Sequence, residues 1–315
     1  MARFRAAAAL LLGVATLATT ADGQSPGAPA PSVAVRRISV AYDEGLKRTG
    51  FEAPVVRLEI NGVSAWMVVD TGAAIHTFAG WFVDKAGLAT DVALSDTVSG
   101  RDAAGERLPL RFVHGVVATL DNRSPWHIAT AAVADFPADF ERARVAGLLS
   151  PQLLAGEGEA VVVDLRVPEI RIESDERALG AVRAGAAARL ESCGGAQAPV
   201  PNQLFAAEVT IGERTVRMLV DSGAERTQVA TDATAAVGLP RDAVHQQVGV
   251  GGVVEQVAVA AATRVALAGT TQVLDVAIGG SRSACDGEGL LGIDFLRQCR
   301  LTLAAGRGAI ECGPR

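Results

Sequence analysis

Short apolar runs separated by Gly- and Asn-bearing turns dominate the chain, the pattern of a strand-rich protein. Val56-Arg-Leu-Glu-Ile-Asn-Gly-Val63 runs through an Asn-Gly pair, which predicts a type I′ hairpin between two strands. The second strand is apolar from Trp66 to Val69 and stops at Asp70-Thr-Gly72. A short helix is expected over Phe78 to Ala86, with Gly87 as its C-cap. A Gly-bearing hairpin follows over Val98 to Leu108, with Gly100 and Gly105 near its tip.

The same order then repeats. Met67-Val-Val-Asp-Thr-Gly-Ala73 recurs as Met218-Leu-Val-Asp-Ser-Gly-Ala224, an offset of 151 residues that holds without a gap to Gly87-Leu88 and Gly238-Leu239. Upstream, Ala207-Glu-Val-Thr-Ile-Gly-Glu-Arg214 matches the first hairpin. Downstream, the second copy predicts a helix over Val229 to Val237 and a hairpin over Val248 to Val257, with Gly249, Gly251 and Gly252. A Gly-Leu-Leu element follows in each copy, as Gly147-Leu-Leu-Ser-Pro-Gln-Leu-Leu154 and Gly289-Leu-Leu-Gly-Ile-Asp-Phe-Leu296. Each copy closes on a strand-like run, Ala160 to Ile172 and Arg300 to Cys312. Residues 173–200 read as a connector, with Arg177 to Leu190 as a helix. The repeat predicts the domain layout: residues 50–175 and 201–315 as two related lobes, with 176–200 between them.

Before the repeat lies a leader. Arg3 and Arg5 precede an apolar stretch from Ala6 to Ala18, and Thr19 and Ala21 are small, as at a signal-peptidase site. Residues 1–21 are expected to be a signal peptide; an uncleaved anchor is the alternative. Residues 22–49, Pro/Gly/Ser/Ala-rich over 22–34, are expected to be a flexible tether. An exported protein, periplasmic or secreted, follows from this reading.

Composition narrows the picture. The chain has 315 residues, 49% hydrophobic and 20% charged, enough to bury a core. Past the leader no uncharged apolar run reaches the roughly 18 residues of a spanning helix, which excludes a polytopic membrane protein despite a mean hydropathy of +0.27. With 29 basic and 35 acidic residues the net charge is -6. Cleavage after Ala21 leaves 27 basic against 35 acidic, or -8. An acidic chain without a basic cluster excludes nucleic acid as a partner. The histidines lack metal-ligand spacing, so neither a metal nor another cofactor is expected.

Cys193, Cys285, Cys299 and Cys312 are an even set that suits two disulfides in an exported protein. The expected pairing is Cys193–Cys312 with Cys285–Cys299. A hairpin turning around Gly306 and Gly308 would pair Cys299 with Cys312 instead.

A single Asp-Thr/Ser-Gly is weak evidence, because average usage gives on the order of 0.1 chance matches in a chain this long. Two, at one place in a duplicated unit, carry a chemical reason. Two carboxyls close enough to share one water cannot both ionise, so the pair holds one proton. One then accepts a proton from water while the other donates to a scissile carbonyl.

These motifs resemble the bilobed aspartic peptidases of the retropepsin–pepsin type, closest to bacterial single-chain retropepsin-like proteins, over about residues 50–312. The resemblance implies a mainly β acid protease fold, with two homologous retropepsin-like β-barrel lobes and short helices about a pseudo-twofold axis. It makes Asp70 and Asp221 the catalytic dyad, braced by Thr71, Gly72, Ser222 and Gly223. Flap tips are expected at Gly100, Gly105, Gly251 and Gly252; the only Tyr is Tyr42, so the pepsin flap tyrosine is missing. The family's hydroxyl six residues past the Asp is Thr227, but His76 in the first copy, and Ser150 replaces the Gly seen at Gly292. Asp294 reads as a residue at a helix N-terminus. The implied activity is endopeptidase action on extended polypeptides by a monomer. The alternative is an inactive peptide-binding or adhesion module on the same scaffold.

Overall fold

The structure, a computed structural model, describes residues 10–11, 37–91, 99–102, 107–121, 124–183, 185, 187–193, 203–248, 254–280, 283 and 285–313. Strands dominate, and they build two matching barrels. In the first lobe Val55–Ile60, Val63–Val69, Val145–Leu149, Thr77–Ala79, Ser124–Ala134 and Arg111–Leu120 close on themselves. In the second, Leu204–Ile211, Arg214–Val220, Gly289–Leu291, Gln228–Val229, Thr270–Ile278 and Val254–Leu267 follow in the same order. The ring closes where Thr210 and Ile211 pair with Ala266 and Val265. The architecture is mainly β, with two matching barrels, consistent with the bilobed acid protease fold that the resemblance implies.

Local chemistry explains the strand ends. Asn61 and Gly62 both have positive φ, 50° and 76°, so the Ile60↔Val63 hairpin turns as a type I′ loop. Gly87 caps helix Gly80–Ala86 in the left-handed region, at φ 63°. That helix starts two residues later than expected, because Thr77–Ala79 is a strand. The second copy has no such helix. Gln228–Val229 is a strand and only a 3₁₀ turn, Thr234–Ala236, follows. Thr231, Asp232 and Thr234 are poor helix formers, and the first and last prefer turns and extended backbone.

The lobes are joined by a sheet of strands Ala187–Cys193, Arg307–Cys312, Cys299–Ala304, Glu159–Asp164, Glu169–Ser174 and Arg37–Ser39, in that order. It is continuous with the second barrel through Cys193↔Leu204. A first-lobe strand therefore pairs directly with a second-lobe strand, Ala160↔Ala304 through Asp164↔Arg300. Val161, Val163, Leu190, Leu301, Leu303 and Ile310 on these strands are buried in the main core.

This sheet corrects two expectations. The helix expected from Arg177 to Leu190 is a short one, Asp175–Gly180; Gly185, at φ 84°, breaks the run and strand Ala187–Cys193 follows. Part of the stretch expected as tether is also ordered. Arg37–Ser39 is the sheet's outer strand, and Glu44–Arg48 is a helix capped by Asp43, whose carboxylate accepts from Leu46 N at 2.8 Å. Of the leader, Leu10–Leu11 pairs with Arg101–Asp102, and the remainder lies outside the described residues. Among the described residues no helix is long and apolar enough to cross a membrane.

The disulfides are Cys193–Cys285 and Cys299–Cys312, not the expected pairing. Cys299 and Cys312 are direct register partners across the last hairpin, with Cα atoms 4.1 Å apart. Strand Ala187–Cys193 runs antiparallel to Arg307–Cys312, with Glu191 opposite Arg307 and Ala187 opposite Glu311. Cys193 and Cys312 thus sit at opposite ends of the pair, and Cys193 instead meets Cys285 at a Cα separation of 5.3 Å.

Candidate active site

Each Asp-Thr/Ser-Gly turn hangs from the end of an apolar strand that is held by the Gly-Leu-Leu element of its own lobe. Val69 lies beside Leu149 and Val220 beside Leu291, in parallel. The ladder continues one step further, with Asp70 N donating to Leu149 O at 2.8 Å and Asp221 N to Leu291 O at 3.0 Å. Gly147 and Gly289 let these strands pass close against the strands Thr77–Ala79 and Gln228–Val229. A Cβ at Gly147 would lie 1.9 Å from Thr77 O, and one at Gly289 2.1 Å from Gln228 O.

The two turns meet. Thr71 N donates to Ser222 Oγ at 3.1 Å and Ser222 N to Thr71 Oγ1 at 3.0 Å. The hydroxyls continue across the interface, Thr71 Oγ1 to Val220 O at 2.8 Å and Ser222 Oγ to Val69 O at 2.7 Å. Four bonds thus fix one turn against the other, all buried. The fit is close enough that a Cβ on Gly72 would sit 2.5 Å from Asp221 Cγ.

Asp70 and Asp221 are both fully buried. Oδ1 of Asp70 accepts from Gly72 N at 2.8 Å and Ala73 N at 3.0 Å; Oδ1 of Asp221 accepts from Gly223 N at 2.9 Å and Ala224 N at 3.0 Å. Oδ2 of each receives no backbone amide or hydroxyl among the described residues and is left facing the other aspartate. Burial, and then the neighbouring Asp221 carboxylate, hold Asp70 well above the usual carboxylate range. Burial pushes Asp221 up to about 6, against the pull of a hydrogen bond from Asp70. The arrangement is a carboxyl pair with room for one shared proton, both acids raised by burial and titrating as a pair.

Behind each turn the lobes differ. In the second lobe Asp294 accepts from Thr227 N at 2.9 Å and Thr227 Oγ1 at 2.8 Å, and Gly292 N donates to Thr227 Oγ1 at 3.2 Å. Asp294 is therefore a brace for the Thr227 segment, beyond its place in the first turn of helix Ile293–Leu296. Burial raises its pKa, partly offset by the bonds from Thr227 and Phe295. In the first lobe His76 Nδ1 takes the acceptor role of the Thr227 hydroxyl, receiving Ser150 N at the same 3.2 Å. Its ring stands edge-on to Trp126 with centroids 4.7 Å apart, and burial drives its pKa down to about 3. His76 is thus a neutral acceptor. Gln152, at the position matching Asp294, donates its amide to Thr71 O, Ala73 O and Gln203 O at 3.3, 2.9 and 2.8 Å. Sequence reasoning passed over Gln152, although the aligned copies place an amide there against a carboxylate. A half-open cavity of about 350 Å³ lies beside it, lined by His76, Trp126, His127 and Leu153.

Of the expected flap tips, Gly100 lies in strand Ser99–Asp102, opposite Leu108 of strand Arg107–Pro109. Gly105, Gly251 and Gly252 lie outside the described residues. The second hairpin is present as Ala243–Val248 paired with Val254–Val259. Among the described residues no cluster of His, Cys, Asp or Glu is placed to hold a metal ion.

Residues 207–298 match the family described as "gag-polyprotein putative aspartyl protease". That span contains Asp221, Thr227 and Asp294 and covers the second lobe's barrel from Ala207 onward. No curated protein matches the chain by sequence. Among solved structures, an aspartic proteinase from Irpex lacteus matches 88% of this chain and 96% of its own, at 12% identity and a TM-score of 0.48. Basic 7S globulin from soybean matches 88% and 94%, at 12% identity and a TM-score of 0.45. Conglutin gamma, a basic 7S globulin from lupine seeds, matches 88% and 95%, at 10% identity and a TM-score of 0.43.

Proposed function

We propose that the chain is an exported aspartic endopeptidase, acting as a monomer on extended polypeptide substrates. The observation that carries this reading is the buried carboxyl pair, one Asp from each lobe. Each Oδ1 is saturated by two amides and each Oδ2 is left for a shared proton. Two fused lobes supply both acids from one chain.

The chemistry follows from one proton shared between two carboxyls. One aspartate is the base and the other the acid. Water held between them loses a proton to the charged aspartate and its oxygen attacks the scissile carbonyl carbon. The protonated aspartate gives its proton to the carbonyl oxygen, which leaves a neutral gem-diol. When the C–N bond breaks, the aspartate that took the water's proton gives it to the leaving nitrogen, the other takes one from a gem-diol hydroxyl, and the pair is left with one proton. The cross-lobe bonds of Thr71 and Ser222 keep the two acids at fixed separation throughout. Below the pair's lower titration both acids are protonated and no base remains. Above its upper titration both are charged and no acid remains. Burial raises both acids, so activity should have an acid limb above the usual carboxylate range, near pH 6.

The test is to incubate the full chain with a diverse peptide pool across this range and map cuts by mass spectrometry. Asp70→Asn and Asp221→Asn should each abolish cutting. Full activity in either variant excludes a shared dyad, and no cutting by the unmodified chain at any pH excludes the peptidase reading.

A further inference from the structure

The two copies part company at three consecutive residues, Ser150-Pro151-Gln152 against Gly292-Ile293-Asp294. In the second lobe Ile293 N donates to Ala224 O at 2.8 Å, tying the back of the Asp221 turn to its Gly-Leu-Leu element. The residue matching Ile293 in the first lobe is Pro151, which has no N–H to give. Ala73 O, the counterpart of Ala224 O, would lose its donor. Gln152 supplies it at 2.9 Å from its side chain.

The same amide reaches further. Thr71 O belongs to the peptide unit whose N–H, that of Gly72, donates to Asp70 Oδ1. A donor on one end of a peptide unit fixes its plane and strengthens the hydrogen bond made by the other end. Gln203 O, the third acceptor, lies just before strand Leu204–Ile211, and the Gln203 side chain donates to Ala304 O at 2.9 Å. Flipping the Gln152 amide would set its oxygen against three carbonyls, so the nitrogen must face them. Gln152 is 5% exposed, and its oxygen has no donor among the described residues.

We propose that Gln152 is a positioning residue for the first-lobe half of the dyad, replacing the backbone donor that Pro151 removes and orienting the peptide unit that holds the Asp70 carboxylate. The proposal rests on the peptidase reading only for its kinetic consequence; the geometry at Asp70 is independent of it.

Gln152→Met keeps the length and removes both donors. It should lower kcat by about ten- to a hundredfold, as expected of a reacting group displaced by an ångström or less. KM should stay within about twofold. In NMR of carboxyl-labelled aspartate, the variant should titrate Asp70 at higher pH, because the Gly72 N–H bond to its charged form weakens. Pro151→Ile/Gln152→Met, which returns a backbone donor to Ala73 O, should recover part of both. An unchanged Asp70 titration in Gln152→Met, or a double variant no better than the single, overturns the assignment. If the unmodified chain cuts nothing, the peptidase reading falls while the titration still decides Gln152. Should Gln152→Met not fold, Gln152→Glu retains one donor while protonated. The titratable groups around it are Asp70 across the turn and His76 and His127 on the cavity wall, His76 being neutral. Its kcat should fall away from wild type as pH rises and its carboxylate meets three carbonyls. Parallel profiles for Gln152→Glu and wild type overturn the proposal.

Discussion

At the residue scale the site stores a conflict between stability and chemistry. Asp70 and Asp221 bind protons more tightly folded than unfolded, so their contribution to stability is full below about pH 4 and is lost as pH rises through their folded values. Asp221→Asn should therefore raise Tm at pH 7 to 8 by a few degrees while ending activity, a result differential scanning calorimetry can read. His76 works the other way. Its pKa falls from 6.5 to about 3 on folding, so its contribution is full above pH 6.5 and is lost as pH falls towards 3. His76→Thr, which copies the second lobe's Thr227, should narrow the difference in urea midpoint between pH 7 and pH 4. An unchanged difference would place the acid sensitivity elsewhere. The acids were legible in the sequence because a three-residue motif recurs in a repeated setting. Gln152 was not, because its role depends on Thr71 O and Ala73 O lying within reach of its amide, which only the backbone trace reveals.

Elements carry the next set of constraints. The Gly-Leu-Leu strands are the struts from which both Asp-bearing turns hang, and each needs a residue without a side chain where it crosses. Gly147→Ala and Gly289→Ala should each cost more than about 3 kcal/mol in denaturant unfolding, since the Cβ would overlap a backbone carbonyl that cannot retreat. A small loss would mean that the crossing can open. The first-copy helix and the hairpin at Asn61-Gly62 followed from capping and turn chemistry. The second-copy helix did not form, because similarity at Gly238-Leu239 does not extend to the Thr- and Asp-bearing segment before it. Pattern reads period well but cannot weigh a weak helix against a strand that finds a partner in Gly289–Leu291.

Over the whole molecule the lobes are not two beads on a string. Strand Glu159–Asp164 of the first lobe lies between Glu169–Ser174 and the second-lobe strand Cys299–Ala304. Spacing alone could not show this, nor which cysteines would meet, because both depend on strands far apart in the chain. Cys299–Cys312 spans 13 residues and Cys193–Cys285 spans 92. The loop-closure cost of the unfolded chain grows with span, so replacing the first pair by Ser should cost about 3 kcal/mol and the second roughly 4–5. Guanidinium unfolding of the two double variants checks the order, and a reversed order would point to native-state contacts rather than chain entropy.

The bridging sheet also sets a timetable. A ribosome delivers the first barrel, with Glu159–Asp164 beside it, long before the hairpin Cys299–Cys312 that completes the neighbouring edge. Until that hairpin arrives, the nascent first lobe carries a strand paired on one side only, with an apolar centre of Ala160 to Val163, the kind of edge on which chains aggregate. Contacts of this sequence range are slow to form. Shielding residues 159–164 until Cys299–Ala304 is available should therefore raise the yield of folded chain.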